Sequence, residues 1–429
     1  MGDSSWNPAE CGENIGRVLD APEDHPVSVG RAGIALMAVD FIPGKDATDE
    51  RGGMEGKGGG DAEPGELRQG RVFTPEEGKE DLAKRSAEYS NREEWEEKAA
   101  KIRRGILEGA ELWPLPEKSD LSPVRHSAKK MNGYLVENVA IESLPGLFVT
   151  GNLYLPDECR DMPIVLCPHG HWQGDDLLMH GRFREDMQKR CAVLARMGCA
   201  VFAFDGVGFG ESMQLGWEHK FDARVLKMQL WNAIRVLDFM TTLEGADDSR
   251  VLVTGASGGG TLTMQLAAVD DRVSMSVPCA MVSSYFYGGC DCESGMEVHV
   301  RPGHVTNPVE IAAVIAPKPM LVISDGGDWT AHTPDDVFPH LRRIYGFFGQ
   351  RDKVENAHFP DGKHDFGEDK REALYDFVGR MWNLDADRVD ESVVEIIEGN
   401  ALRVFDDRHP VPLRALKPNV VPDFGNETP

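Results

Sequence analysis

Through residue 70 the apolar positions follow no period. Eight glycines stand among charged residues between Arg51 and Gly70, the composition of an irregular segment. Helical spacing starts at Thr74-Pro75-Glu76-Glu77, where Thr suits the N-cap, Pro the first helical position and Glu the place three residues after the cap. Ser90-Asn91-Arg92-Glu93 repeats the signal. Trp95, Ala99, Ile102 and Ile106 then fall on one helical face, and Pro114 and Pro116 stop the helix. Such a face suits packing against a main domain better than walling a pocket.

From Tyr134 the period changes. Tyr134–Glu142 and Leu147–Leu155 flank Ser143-Leu144-Pro145-Gly146 and predict a hairpin. Short apolar runs then alternate with helical stretches. Strands are expected at Ile164–Cys167, Cys199–Phe204, Arg250–Thr254, Val273–Pro278, Met320–Ser324 and Val354–Phe359. Helices are expected up to Met197, within Phe221–Thr242, over Gly258–Ala268, near Asp336–Phe348 and over Lys370–Trp382. This is the pattern of an α/β fold with a mostly parallel central sheet covered by helices on both faces. Three regions follow: an N-terminal loop-rich and helical extension over 1–130, the α/β domain over 131–384, and a charged, Pro-containing tail over 385–429 that packs on the domain or a partner.

The 429 residues carry 46 Lys+Arg against 72 Asp+Glu, a formal net charge of −26. So acidic a surface repels phosphate backbones and anionic lipid, which argues against nucleic-acid and membrane partners and favours a neutral small molecule or carbohydrate. The opening MGDSSWNPAECGENIG has no apolar run, so the chain as it stands reads as cytoplasmic, or as secreted or periplasmic if a leader was trimmed. No run of about 18 apolar residues predicts a membrane span. The long termini offer a surface for a homo-oligomer. Among eight Cys, Cys167 and Cys199 read as buried thiols. Cys290 and Cys292 are too close for an easy mutual disulfide, which leaves a non-local bridge such as Cys279 to Cys290 open.

The sharpest chemical signal is Gly255-Ala256-Ser257-Gly258-Gly259, a G-x-S-x-G between an apolar strand and a helix. A tight turn there needs small neighbours and pushes the Ser257 hydroxyl out at the carboxyl edge of the sheet. In this fold the partners follow in the order Ser, acid, His. His364 lies in a loop after the last strand and is the expected base; Asp328, in the loop after Met320–Ser324, is the favoured acid, with Asp325 as the alternative. An oxyanion needs two N–H donors: Gly258 after the nucleophile, and His171, or alternatively Trp172, from the loop Pro168–Gly174. His169 and His171 alone make a weak metal pair, without an evident third ligand. Asp205-Gly206-Val207-Gly208-Phe209-Gly210-Glu211-Ser212 lacks the spacing of a dinucleotide loop and reads as a glycine-rich edge of the cleft. Trp172, Trp217 and Trp329 are candidates for the acyl or sugar pocket, with ordinary packing at least as common for each. No metal or organic cofactor is implied.

Together HGH (169–171), DGVGFGES (205–212), GASGGG (255–260), SDGGDWT (324–330) and GKHDF (362–366) resemble the α/β-hydrolase superfamily over about residues 90–383. Within it the chain is most similar to the acetyl xylan esterase-like, prolyl-oligopeptidase-related bacterial serine hydrolases. The resemblance implies Ser257 as nucleophile, Asp328 as acid and His364 as base. Three departures narrow it. Glucuronoyl esterases carry Arg after the nucleophile, where this chain has Gly258; dienelactone hydrolases use Cys in place of Ser257; and the segment before Tyr134 is too short for a propeller. The expected activity is hydrolysis of a small acyl ester, an acetyl group on carbohydrate. A peptidase or amidase with the same triad, and a non-catalytic binding module, are the alternatives.

Overall fold

The computed structural model describes residues 73–425 apart from 172–175, 177, 179, 217–218 and 220–221. α1 (Pro75–Ser86) opens on a reciprocal cap, in which the Thr74 hydroxyl accepts the Glu77 N–H and the Glu77 carboxylate accepts the Thr74 N–H. α2 (Arg92–Gly109) is capped by Asn91, one residue later than the start of the sequence signal, and buries Trp95, Ile102 and Ile106.

The sheet begins with β1 (Val124–Met131), β2 (Tyr134–Leu144) and β3 (Leu147–Pro156). The polar run VRHSAKKM of β1 did not announce a strand. It pairs only with β2, at the sheet edge, where charged side chains are tolerated and discourage further pairing. β4 (Met162–Pro168), α3 (Glu185–Arg196), β5 (Ala200–Phe204), α4 (Arg224–Met240), β6 (Ala246–Ala256), α5 (Gly258–Val269) and β7 (Met275–Cys279) form the alternating core. A short turn of helix, α6 (Asp291–Ser294), a two-strand excursion of β8 (Val300–Arg301) and β9 (His304–Val305), and α7 (Pro308–Ala313) follow. β10 (Met320–Asp325), α8 (Phe338–Phe347), β11 (Val354–Phe359) and α9 (Glu368–Trp382) close it.

The nine strands lie in the order β1-β2-β3-β5-β4-β6-β7-β10-β11, antiparallel as far as β5 and parallel beyond. Successive residues of each central strand enter opposite cores, because side chains alternate across a pleat. Val165, Val201, Leu252 and Ile323 meet Leu194 of α3 and Leu374 of α9. Ile164, Phe202, Val253 and Val322 meet Trp231 of α4, Leu266 of α5 and Ile344 of α8. Both faces are therefore dry, and the loops at the carboxyl ends of the parallel strands carry the polar chemistry.

After α9 the chain stays on the domain. Buried Arg182 gives its guanidinium to Asp205, Glu211, Asn152 and the Leu402 carbonyl, while the Glu211 carboxylate accepts the N–H groups of Val404 and Phe405. Among the described residues no helix is long and apolar enough to cross a membrane.

Candidate active site

Between β6 and α5, Ser257 sits at φ 56° and ψ −123°, a left-handed conformation that a side chain adopts only when its surroundings enforce it. The Ser257 N–H donates to the Cys279 carbonyl at 3.1 Å, and the Thr261 N–H donates to the Ser257 carbonyl at 2.9 Å. The elbow also lies hard against the end of β4. A Cβ at Gly255 or Gly259 would stand 2.4 or 2.5 Å from the Pro168 carbonyl oxygen, so both glycines of the motif answer to close approach.

His364 Nδ1 lies 2.7 Å from Asp328 Oδ2. Burial pushes the Asp328 carboxyl up, but the bonds it accepts from His364 and from the Thr330 hydroxyl and N–H outweigh this and hold it below the usual range. A stable carboxylate at Nδ1 leaves Nε2 of the same ring to face a substrate. Trp329 packs behind this imidazole, 4.3 Å from it between ring centroids, and stacks on Phe286 at 4.0 Å. It supports the histidine and is not among the residues lining the cavity at Ser257.

Asp325 serves a different residue. Its buried carboxylate pairs with Lys370 at 2.7 Å, and the Lys370 ammonium also reaches the Asp365 carboxylate and the carbonyls of Lys363 and Asp365, on either side of His364. Burial lifts Asp325 to about 6 despite the ammonium beside it, which still leaves it ionised at pH 7.

The loop after β4 lies over the elbow. A Cβ on Gly170 would be 3.2 Å from Ser257 Cβ, and one on Gly258 would be 2.9 Å from the His171 ring. His169 has both ring nitrogens engaged: Nδ1 donates to the Gly170 carbonyl at 2.7 Å and Nε2 accepts the Gly206 N–H at 2.9 Å. Burial lowers its pKa and keeps it neutral in that tautomer. His169 is thus a strut between the oxyanion loop and the glycine-rich loop, and is unavailable to share a metal with His171. The glycine-rich loop itself is not among the residues lining the cavity at Ser257, and its Asp205 and Glu211 anchor Arg182. Trp172 and Trp217 lie outside the described residues.

Ser257, His364, Gly170 and His171 share a cavity of about 490 Å³ that Arg184, Asp186, Met187, Arg190 and Phe366 also line. Phe366 belongs to the His364 loop; no motif announced the other four, because they come from α3 and its approach, where the residues read as an ordinary amphipathic helix. The cysteines require a correction. Cys290 and Cys292 are bonded to each other, and Cys279 is a free, buried thiol. The extended Cys290 leads straight into the turn of α6, which leaves the two Cα atoms 5.5 Å apart, within disulfide range despite the single intervening residue. Next to them Glu293 is buried, and burial raises its carboxyl to about 7 against the bonds it accepts from the Gly289 N–H and the Thr261 hydroxyl.

A strand–elbow–helix serine and a carboxylate-bound imidazole at the carboxyl edge of a parallel sheet define the α/β-hydrolase class. Residues 107–287 match the family model of acetyl xylan esterase (AXE1). Methylesterase BT1017 is 38% identical over 82% of this chain and 78% of its own, with a TM-score of 0.77. A CE15 glucuronoyl esterase from Teredinibacter turnerae T7901 shares the fold at 16% identity, 68% and 86% coverage and a TM-score of 0.50. A putative acetyl xylan esterase from Bacteroides fragilis NCTC 9343 stands at 19% identity, 63% and 76% coverage and a TM-score of 0.49. The chain belongs to the acetyl xylan esterase-like family of α/β-hydrolases and is a serine carboxylic-ester hydrolase.

Proposed function

We propose that the protein removes a small ester group from a carbohydrate through an acyl-enzyme formed on Ser257. The observation that carries this reading is the single cavity shared by Ser257 and His364, with Asp328 bonded to the far side of the imidazole. His364 Nε2 takes the Ser257 proton as the hydroxyl attacks the ester carbonyl, and Asp328 holds the tautomer and stabilises the imidazolium. The N–H groups of Gly258 and His171 receive the oxyanion. His364 returns the proton to the leaving alcohol, then activates the water that frees the acid.

The acetyl xylan esterase family match supports an acetyl group as the one removed. A second reading, a methyl ester of a sugar acid, is favoured by the likeness to a methylesterase and by Arg190 in the cavity wall, a cation suited to the free carboxylate of a neighbouring sugar acid; Arg184 beside it is paired with Asp186 at 2.8 Å. Acetate release from acetylated xylan and methanol release from methyl-esterified polygalacturonate separate the two. Ser257→Ala is expected to lower turnover on the active substrate by roughly 10³-fold or more with the melting temperature nearly unchanged. Retained turnover in that variant rejects the mechanism.

A further inference from the structure

The His171 ring that lies against Gly258 aims its Nε2 at two sulfurs, Cys292 Sγ at 3.0 Å and Cys290 Sγ at 3.4 Å. Glu293 brings a buried carboxylate to the same place, with Oε2 3.6 Å from Cys290 Sγ and Oε1 4.0 Å from His171 Nδ1. The buried ring of His219 meets that of His171 edge-on, with 4.8 Å between centroids. Three distant stretches of chain thus deliver two imidazoles, two sulfurs and a carboxylate to one small volume, and the ligand atoms of His171, Cys290 and Glu293, like those of His171, His219 and Cys292, lie within 4.8 Å of one another.

The two sulfurs are joined in this structure. A disulfide sulfur is a feeble hydrogen-bond acceptor and gains little from a nitrogen aimed at both halves of the bond. As thiolates, the same sulfurs and that nitrogen form a soft donor set of the kind that selects Zn²⁺ over Mg²⁺ or Ca²⁺. Catalysis by Ser257 draws on the backbone N–H of His171 and leaves the side chains of this cluster unused.

We propose that the reduced Cys290–Cys292 pair and His171 bind a Zn²⁺ ion, with Glu293 or His219 closing the tetrahedron. Opening the disulfide takes two electrons and two protons: a thiol reductant supplies both and becomes a disulfide, whereas a phosphine supplies the electrons and becomes its oxide, with water giving the oxygen and the protons. Binding then forms two Zn–S bonds and releases both thiol protons to solvent, with no further electron transfer. The ion would tie the oxyanion loop to α6 whichever ester is cleaved, so the site stands or falls separately from the esterase reading.

The test uses the full chain reduced with a phosphine and titrated anaerobically with Co²⁺. The expected result is thiolate-to-cobalt absorption in the near ultraviolet with tetrahedral bands in the visible, saturating at about one equivalent and erased by Zn²⁺. Ser257→Ala should behave the same, whereas Cys290→Ser and Cys292→Ser should each weaken binding by more than about 100-fold, beyond the loss of an outer-shell partner. If those variants fail to fold, alkylation of the wild type mapped by mass spectrometry decides, since Zn²⁺ should slow labelling of Cys290 and Cys292 at least about tenfold. A pair that the phosphine does not open in the folded protein, absence of both the absorption and the protection, or a spectrum untouched by the two serine variants would each overturn the proposal.

Discussion

A single methyl group at residue 258 should separate stability from catalysis. Gly258 opens α5, where alanine is the better helix former by up to about 1 kcal/mol, yet its Cβ would meet the His171 ring at 2.9 Å. Gly258→Ala is expected to melt no lower than the wild type while kcat/KM falls on the order of 10²-fold, as when an oxyanion donor is lost. Undiminished kcat/KM would show that the ring yields and that the loop is not positioned by this contact. At this scale the sequence was most legible where backbone geometry restricts the residue type. The elbow admits only small residues beside Ser257, so its pattern is visible in the letters. The choice between Asp325 and Asp328 is harder, because one ends the strand and the other lies three residues on, and the turn decides which of them faces His364. The bonded Cys290–Cys292 pair was misread for the same reason: sequence separation says little until the local turn is known.

Elements hold the site by buried polar clamps. Lys370, near the start of α9, fastens the loop on both sides of His364 and neutralises buried Asp325. Lys370→Met should therefore cost roughly 3–5 kcal/mol in urea unfolding, because it strands a carboxylate in the interior. It should also lower kcat. Adding Asp325→Asn should recover part of the stability, and a double variant whose loss equals the sum of the single losses would dispose of the clamp. A second clamp is pH-dependent. His340 of α8 is buried with its Nε2 2.9 Å from the Tyr89 hydroxyl, and burial lowers its pKa to about 4. The unfolded chain takes up this proton near pH 6.5 and the folded one only near 4, so stability is full above that window and falls as pH drops through it, by up to about 3 kcal/mol. His340→Gln should flatten the dependence of the urea midpoint between pH 7 and pH 4.5, and identical slopes in the two proteins would contradict the assignment. Strand and helix positions were readable through their periodicity. β1 was not, because an edge strand facing solvent needs no apolar pattern, and neither clamp follows from spacing, since both join residues brought together only by the fold.

Across the whole molecule the last segment completes the first core. Asn138 and Asn152 donate to the carbonyls of Ala401, Leu402 and Arg403, Gln188 exchanges two bonds with Ile397, and Leu402 and Val404 are fully buried. Removing residues 385–429 should leave Arg182, Glu211, Asn138 and Asn152 short of partners, each at a cost of about 1–3 kcal/mol or more. The shortened chain is expected to be insoluble or to melt far below the intact one, and a melting temperature within a few degrees of the parent would refute that. The order in which the chain is made adds a further consequence. Synthesis proceeds from the N-terminus, and Arg182 waits for a carbonyl 220 positions later while Glu211 waits for an N–H 193 positions later. The nascent protein therefore carries a buried Arg182–Glu211 pair whose remaining bonds wait for residues 402–405. It should reach its protease-resistant form only once residues 402–405 have emerged from the ribosome, however early the sheet has assembled.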